Sequence, residues 1–99
     1  MKNLWIARLK DLTPGGSDDL AIFDDIEAAM DKARFFWHHL TTLEKDRHEV
    51  SVECYAVDLP DTATKYEAYE CLNDNLCWPD PVYFKRFIPS LTNMTPKED

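Results

Sequence analysis

The stretch DDIEAAMDKARFFWHHL, residues 24–40, decides the fold class. From Ile26 its apolar residues recur at offsets 0, 3, 4, 7, 10, 11 and 14, a spacing that places them on one face of an α-helix. These residues are Ile26, Ala29, Met30, Ala33, Phe36, Trp37 and Leu40. Asp24, with Glu27 three residues later, has the pattern of an N-cap with a capping box. The sequence therefore predicts an amphipathic helix that buries one face against a sheet.

After this helix the sequence changes to the periodicity of a strand. Thr41 and Glu44 form a second capping-box pattern, which predicts a short helical turn ending near Arg47. HEVSVECYAVDL, residues 48–59, then alternates between apolar and polar side chains. One face of this predicted strand carries Val50, Val52, Cys54 and Ala56. The three histidines in this region are explained by their positions at a helix end and a strand start.

Before the helix the sequence predicts a β-hairpin. NLWIARLK, residues 3–10, and LAIF, residues 20–23, are typical of strands, and Pro14-Gly15-Gly16 between them predicts a turn. We therefore predict an α+β fold with element order β-β-α-β. Its three-stranded, mainly antiparallel sheet has the spatial order 2-1-3 and is packed by one amphipathic helix. The alternative places the third strand at the other edge, parallel to the second.

The C-terminal part is predicted to be smaller and helical. Thr64 and Glu67 form a third capping-box pattern, and we predict a helix over residues 65–76, although KYEAYECL also fits a strand. A second short helix is predicted over residues 81–88, opened by Asp80 as N-cap and by a proline at the first helical position. Chain length favours a single domain.

The domain boundary follows from these elements. We predict one α+β domain over residues 1–88 and a flexible tail over residues 89–99, where two prolines and a polar end follow the last predicted helix.

The net charge of −8 argues against direct binding to nucleic acid or to an anionic membrane. The acids fall into two blocks. Residues 11–31 carry seven acids and no Lys or Arg, and residues 53–80 carry seven acids and one lysine. We interpret these blocks as solvated faces. The alternative is that they imitate the phosphates of a nucleic acid.

Export signals and membrane spans are not expected. No stretch approaches about 20 consecutive apolar residues, the length of a membrane span, and the N-terminus lacks the pattern of a signal peptide. The three cysteines, Cys54, Cys71 and Cys77, are odd in number and lack Cys-x-x-Cys spacing. We therefore expect free thiols in a reducing cytoplasm.

The residue types that carry chemistry are present without the spacing that chemistry requires. His38, His39 and His48 do not show metal-ligand spacing with each other or with the cysteines. The Gly15-Gly16 pair lacks the lysine and hydroxyl residue of a phosphate-binding loop. Cys54 lies on the apolar face of its strand, where a thiol is inert. We therefore predict a protein that is not an enzyme and that has no metal and no cofactor.

The run WHHLTTLEK, Trp37 to Lys45, followed by the strand EVSVE, resembles a segment of small uncharacterised bacterial and phage-associated proteins. Those proteins share a Trp-x-His-Leu-Thr-x-x-Glu-Lys pattern between a helix and a strand. The resemblance covers residues 20–57. It implies a bacterial or mobile-element setting and assigns no activity or functional residue.

The remaining question is which residues contact a partner. Phe35 and His39 lie opposite the apolar face of the main helix, and either the C-terminal half covers them or a partner does; we favour cover by the same chain. Aromatic residues with a polar rim are favoured at interfaces. The candidate protein-contact residues are Phe35, His39, Tyr66, Tyr69, Trp78, Glu67, Glu70 and Asp74.

These observations together predict a small acidic protein-binding module, encoded by a phage or mobile element. The sequence also allows a homodimer. The alternative is an acidic nucleic-acid mimic that inhibits a DNA- or RNA-binding enzyme of the host.

Overall fold

The computed structural model describes residues 1–74, 78–89 and 96–98. Within these residues five strands form one sheet and three helices accompany it. The strands are β1 (Lys2–Asp11), β2 (Asp18–Phe23), β3 (His48–Val57), β4 (Tyr83–Pro89) and β5 (Pro96–Glu98). The helices are α1 (Ile26–His38), α2 (Thr42–Lys45) and α3 (Lys65–Asp74). Their arrangement confirms the predicted α+β class.

The sheet order confirms the predicted 2-1-3 arrangement of the first three strands. The strands lie in the order β2-β1-β3-β4-β5, and each pairs antiparallel with its neighbours. β1 is therefore paired on both sides, which suits its apolar sequence. The sheet is larger than the three strands predicted, because two strands from the C-terminal part extend it beyond β3.

The turn between β1 and β2 contains two glycines that differ in their surroundings. Gly15 has a φ of +77°, in the left-handed region that L side chains rarely adopt. The Gly16 N–H donates to the Thr13 carbonyl at 2.9 Å. A Cβ atom on Gly16 would lie 2.6 Å from Cγ of Asp11, too close for a real contact. The predicted hairpin is confirmed. Its backbone favours glycine at position 15, and a side chain at position 16 would require the Asp11 side chain to move.

The predicted helix over residues 81–88 is wrong, because this segment forms β4. Its aromatic residues alternate between the two faces of the sheet, so that Phe87 is 3% exposed and Phe84 is 49% exposed. Pairing with β3 satisfies backbone N–H and C=O groups that a local helix would leave open along the edge of β3. This gain outweighs the N-cap signal of Asp80.

The predicted flexible tail, residues 89–99, contains strand residues. Pro89 is the last residue of β4, and β5 pairs antiparallel with β4. The other residues of the predicted tail, 90–95 and 99, lie outside the described part of the chain.

One face of the sheet is covered by α1. Ala29 and Ala33 are fully buried there and Trp37 is 2% exposed. The small side chains let the helix approach the sheet closely, and the indole fills the space beyond them. On the sheet this core includes Ala7, Val50, Val52 and Phe87. The predicted amphipathic helix is thus confirmed, with its apolar face in the core.

The start of α1 differs from the prediction by one residue. Asp25 is the N-cap, and its carboxylate accepts from the Ala28 N–H at 2.8 Å. The capping box predicted for Asp24 and Glu27 is therefore wrong. Asp24 instead accepts from Lys2 Nζ at 2.8 Å, an ion pair that ties the start of β1 to the loop before α1.

The opposite face of the sheet is partly covered by α3. Ala68 and Leu72 are its buried residues. They pack on Leu4, Ile6, Tyr55 and Val57. The helix confirms the prediction over residues 65–74, and the last two predicted residues, 75 and 76, lie outside the described residues. In the described part of the chain, no helix has the length and apolar character needed to cross a membrane.

Both remaining capping boxes are confirmed. Thr41 accepts from the Glu44 N–H at 3.2 Å, and Glu44 accepts from the Thr41 N–H at 3.0 Å. Thr64 and Glu67 make the same reciprocal pair at 3.1 and 3.0 Å. These bonds hold the pKa of the Glu44 carboxyl and the pKa of the Glu67 carboxyl below their usual values. The capping box at Thr64 therefore fixes the residue at which α3 begins.

Candidate functional site

The predicted contact residues on α1 remain on the surface. Phe35 is 50% exposed, so the expectation that the C-terminal half of the chain covers it is wrong. The C-terminal helix α3 packs on the other face of the sheet. The Phe35 and His39 rings stack with centroids 4.0 Å apart, and Lys32 Nζ lies 4.5 Å from the Phe35 centroid. These contacts shield part of the Phe35 ring without burying it.

Two of the histidines, His39 and His48, contact main-chain carbonyl oxygens through a ring nitrogen. The Nδ1 atom of His39 lies 2.9 Å from the Phe35 carbonyl oxygen, and Nδ1 of His48 lies 2.8 Å from the Glu44 carbonyl oxygen. Each ring therefore caps the end of a helical segment. Within the described residues, no three His, Cys, Asp or Glu side chains come close enough together to hold a metal ion.

The predicted contact residues on α3 divide into an outer and an inner set. Glu67, Glu70 and Asp74 are exposed and follow one another at three- and four-residue spacing, so they form one outward face, the α3 acidic ridge. Tyr66, 64% exposed, lies beside it. A groove of about 370 Å³ runs along the ridge. Leu59 and Cys71 complete its lining, so the groove combines carboxylates with apolar and thiol surface.

Tyr69 and Trp78 face inward. Their rings meet edge to face with centroids 6.1 Å apart, and Trp78 also meets Tyr55 at 5.2 Å. Both side chains are partly buried against the core beneath α3. They therefore support the surface from below, and neither belongs to the α3 acidic ridge.

Parts of the two acidic blocks lie at the same end of the sheet. The register places Lys2 opposite Val57. The start of β1, the end of β2 and the end of β3 therefore share one end of the sheet. The acids that follow these strand ends are Asp24, Asp25, Asp58 and Asp61. We call this region the acidic end.

A pocket that the sequence did not predict lies on the half of the sheet that α3 leaves open. Its volume is about 400 Å³. We call it the sheet pocket, and define it by Arg8, Ser51, Glu53, Tyr55, Trp78 and Phe84. In the sequence of β3, polar residues alternate with apolar ones, and no local pattern indicates that the polar residues are buried. Burial of this polar face depends on Trp78, which reaches it from the loop after α3.

A buried carboxylate organises the floor of the sheet pocket. The Glu53 side chain is 8% exposed, and its Oε2 atom accepts from Arg8 Nε at 3.3 Å and from Nη2 at 3.2 Å. The Tyr55 hydroxyl donates to the same oxygen at 3.0 Å. Arg8 also donates from Nη1 to Asp18 at 3.2 Å. Three donor bonds fix one carboxylate oxygen in a site largely removed from water.

These contacts change the protonation behaviour of the network. Burial, together with the Glu53 charge and the hydrogen bond to it, raises the pKa of Tyr55 to about 12. Burial alone would lower the pKa of Arg8, but the Glu53 charge and the hydrogen bonds to Asp18 and Glu53 outweigh it and raise that pKa. At neutral pH Tyr55 is therefore a hydrogen-bond donor and Arg8 a fixed cation, and neither is suited to act as a base.

The structure describes two of the three cysteines, Cys54 and Cys71. Burial raises the pKa of the Cys54 thiol, which disfavours the nucleophilic thiolate. Cys71 is partly buried, and Cys77 lies outside the described residues. The described surface therefore offers hydrogen bonds, charge and aromatic faces to a ligand.

The chain was also compared with known proteins, and no protein-family model, curated protein or solved structure matches it.

Proposed function

We propose that this protein is a non-catalytic module that binds a partner protein through the α3 acidic ridge. The observation that carries the proposal is the presentation of Glu67, Glu70 and Asp74 on one exposed helix face, beside a groove with apolar surface. Such a surface offers both charge and apolar contact, the combination found at the rim and centre of interfaces.

The partner that suits this surface carries a positively charged segment. Like charges close together repel one another, and a cationic segment relieves that repulsion while it binds. The net charge of −8 adds long-range attraction that speeds the encounter. Tyr66, exposed at the same helix, supplies an aromatic ring for apolar or cation–π contact.

The capping box makes the ridge a fixed target. The hydrogen bonds between Thr64 and Glu67 hold the first turn of α3 and orient the Glu67 carboxylate. Ala68 and Leu72 hold the other side of the helix against the sheet. A preorganised surface has less conformational freedom to lose on binding, which favours affinity.

The test is affinity capture from a bacterial lysate, chosen because residues 37–45 resemble bacterial and phage-associated proteins. The bait variant combines Glu67→Gln, Glu70→Gln and Asp74→Asn, which removes three negative charges and keeps an acceptor in the capping box. A matched control combines Asp19→Asn, Asp31→Asn and Asp46→Asn, which removes the same charge from other exposed sites.

We expect a captured protein to be lost with the ridge variant and retained with the control variant. Raising the salt concentration should release it, because exposed charges are screened beyond about 8 Å at physiological ionic strength. A partner that both variants retain equally contradicts the proposal that the α3 acidic ridge is the contact surface.

A second candidate function is an acidic nucleic-acid mimic that inhibits a DNA- or RNA-binding enzyme. The location of acids from both sequence blocks at one end of the sheet favours it, since carboxylates on one surface can replace phosphates in a basic groove. Adding duplex DNA or RNA to the capture experiment separates the two functions. The partner of a mimic is displaced by nucleic acid and retained by the ridge variant, whereas the partner of the α3 acidic ridge is lost with the ridge variant even when no nucleic acid is added.

A further inference from the structure

The Glu53 carboxylate at the floor of the sheet pocket has one strongly bonded oxygen and one that is weakly bonded. Oε2 accepts from two nitrogens of Arg8 and from the Tyr55 hydroxyl. The Oε1 atom lies 3.5 Å from Ser51 Oγ, at the limit of a hydrogen bond. A carboxylate oxygen can accept two good bonds, so Oε1 retains capacity for a donor from a ligand.

The charges at the pocket floor favour a cation. Arg8 forms ion pairs with both Glu53 and Asp18, so two carboxylates share one guanidinium group. Lys10 and Glu49 lie opposite each other in the register of β1 and β3 and compensate each other. The ion-pair group around Arg8 therefore carries one excess negative charge, in a place where burial weakens screening by solvent.

The walls of the sheet pocket are aromatic. Trp78 forms one wall and Phe84, 49% exposed, forms another. Arg8 already shows how a guanidinium fits this environment, because its Cζ atom lies 5.9 Å from the centre of the Trp78 ring. A planar guanidinium can lie flat against a ring while the N–H groups in its plane donate to a carboxylate, whereas an ammonium group has no flat face to stack.

We propose that the sheet pocket binds the guanidinium group of an arginine side chain, which donates to Glu53 Oε1 while it packs against Phe84. The volume of about 400 Å³ accommodates such a side chain. The pocket is separate from the α3 acidic ridge. Only the source of the arginine, a positively charged partner protein, rests on the proposed function.

The experiment is a titration of the whole protein, observed by NMR, with N-acetyl-arginine amide. We expect saturable shifts of the Trp78 and Phe84 aromatic signals and none at Phe35, an equally exposed ring on α1. N-acetyl-citrulline amide has nearly the same shape without the charge, and should bind about tenfold or more weakly. Equal binding of the citrulline compound or of N-acetyl-lysine amide overturns the proposal, as does a lack of saturable shifts with the arginine compound.

Two variants localise the binding. Phe84→Ala removes a half-exposed wall and should weaken arginine binding about threefold through lost cation–π contact. Phe35→Ala is the matched control and should leave binding unchanged. If Phe84→Ala binds the arginine compound as tightly as the wild type and the Trp78 signals still shift, the guanidinium does not pack against Phe84. That result overturns the proposed geometry.

Failure here and failure of the proposed function can be told apart. The ridge variant Glu67→Gln/Glu70→Gln/Asp74→Asn leaves the sheet pocket intact, so it should bind N-acetyl-arginine amide as the wild type does. If the ridge variant no longer captures the partner but still binds N-acetyl-arginine amide, the loss of capture is due to the ridge and not to the sheet pocket. Partner capture without arginine binding leaves the module proposal standing and rejects the guanidinium site.

Discussion

At the scale of single residues, the most informative position is Glu53. A carboxylate in the middle of a strand is ordinarily an exposed residue, yet this one is buried and bonded to Arg8 and Tyr55. Burying a charge is costly unless hydrogen bonds and an opposite charge compensate it. The donors on Glu53 are therefore necessary for the fold as well as for the sheet pocket.

Tyr55→Phe tests this dependence. The substitution keeps the ring and removes the hydroxyl that donates to Glu53 at 3.0 Å. We expect the free energy of unfolding to fall by about 1.5–3 kcal/mol, the range for a hydrogen bond to a charged group. The measurement is urea unfolding, with Tyr66→Phe as the control because that ring is 64% exposed. Equal stability of the two variants would contradict the network.

The pH dependence of stability gives a second residue-scale prediction. The folded protein raises the pKa of Tyr55 from 10.0 to about 12, so folding favours the protonated phenol. This contribution is fully present below pH 10 and is lost as the pH rises from 10 to 12. We expect stability in wild type to fall over this window more steeply than in Tyr55→Phe. Parallel unfolding curves for the two proteins above pH 10 would show that Tyr55 is not perturbed.

At the scale of elements, β4 is where local sequence signals and tertiary structure disagree. In a strand, Phe84 and Phe87 are predicted to lie on opposite faces of the sheet, because successive side chains alternate between the two faces. In the predicted helix both side chains would have shared the buried face. The structure buries only Phe87.

Alanine substitutions at these two positions therefore test the strand. Phe87→Ala should lower the free energy of unfolding by about 3–5 kcal/mol, because it leaves a cavity against α1. Phe84→Ala should cost less than about 1 kcal/mol, since its ring is half exposed. Thermal unfolding of both variants gives the comparison. Similar losses at the two positions would support a helix with both rings buried.

The elements that sequence could predict are those with local signals. The apolar spacing of α1, the Gly15-Gly16 turn and the capping boxes at Thr41 and Thr64 all depend on residues close in the chain. The α3 acidic ridge could be predicted for the same reason, because helical spacing alone brings its three carboxylates together.

The features that were missed depend on contacts between distant segments. β4 forms because β3 offers an open edge, and residues 81–88 alone do not show this. The sheet pocket needs Arg8 from β1, Glu53 from β3 and Trp78 from the loop after α3. The N-cap was placed one residue early, because Asp24 and Asp25 are both good caps and only the ion pair of Asp24 with Lys2 distinguishes them.

At the scale of the whole molecule, the excess of acids is spread over both ends of the sheet. Acids from both sequence blocks gather at the acidic end. At the opposite end, the Leu12 N–H donates to the Arg47 carbonyl, which brings the basic residues Lys45 and Arg47 near the end of β1. Asp11, Asp18 and Asp19 of the first block also lie toward this opposite end, so both ends of the sheet carry acidic residues.

The excess of negative charge leads to a prediction in which salt has opposite effects on folding and on binding. A net charge of −8 destabilises the compact state by self-repulsion, which salt screens. The exposed ion pairs that salt also weakens, such as Arg34 with Asp31, each contribute little to stability. We therefore expect the melting temperature of the free protein to rise between low salt and about 0.5 M NaCl, over a range in which the Debye length falls from tens of ångströms to a few.

Partner binding should weaken over the same range, because the attraction between the α3 acidic ridge and a cationic segment is screened by the same ions. The ridge variant provides the control. With three fewer negative charges, its melting temperature should depend less on salt than that of the wild type, by calorimetry at matched concentrations. If salt lowers the melting temperature of the wild type, attractive ion pairs outweigh repulsion in the free protein. The acidic surface would then be internally compensated, and a cationic partner would gain no relief of repulsion by binding there.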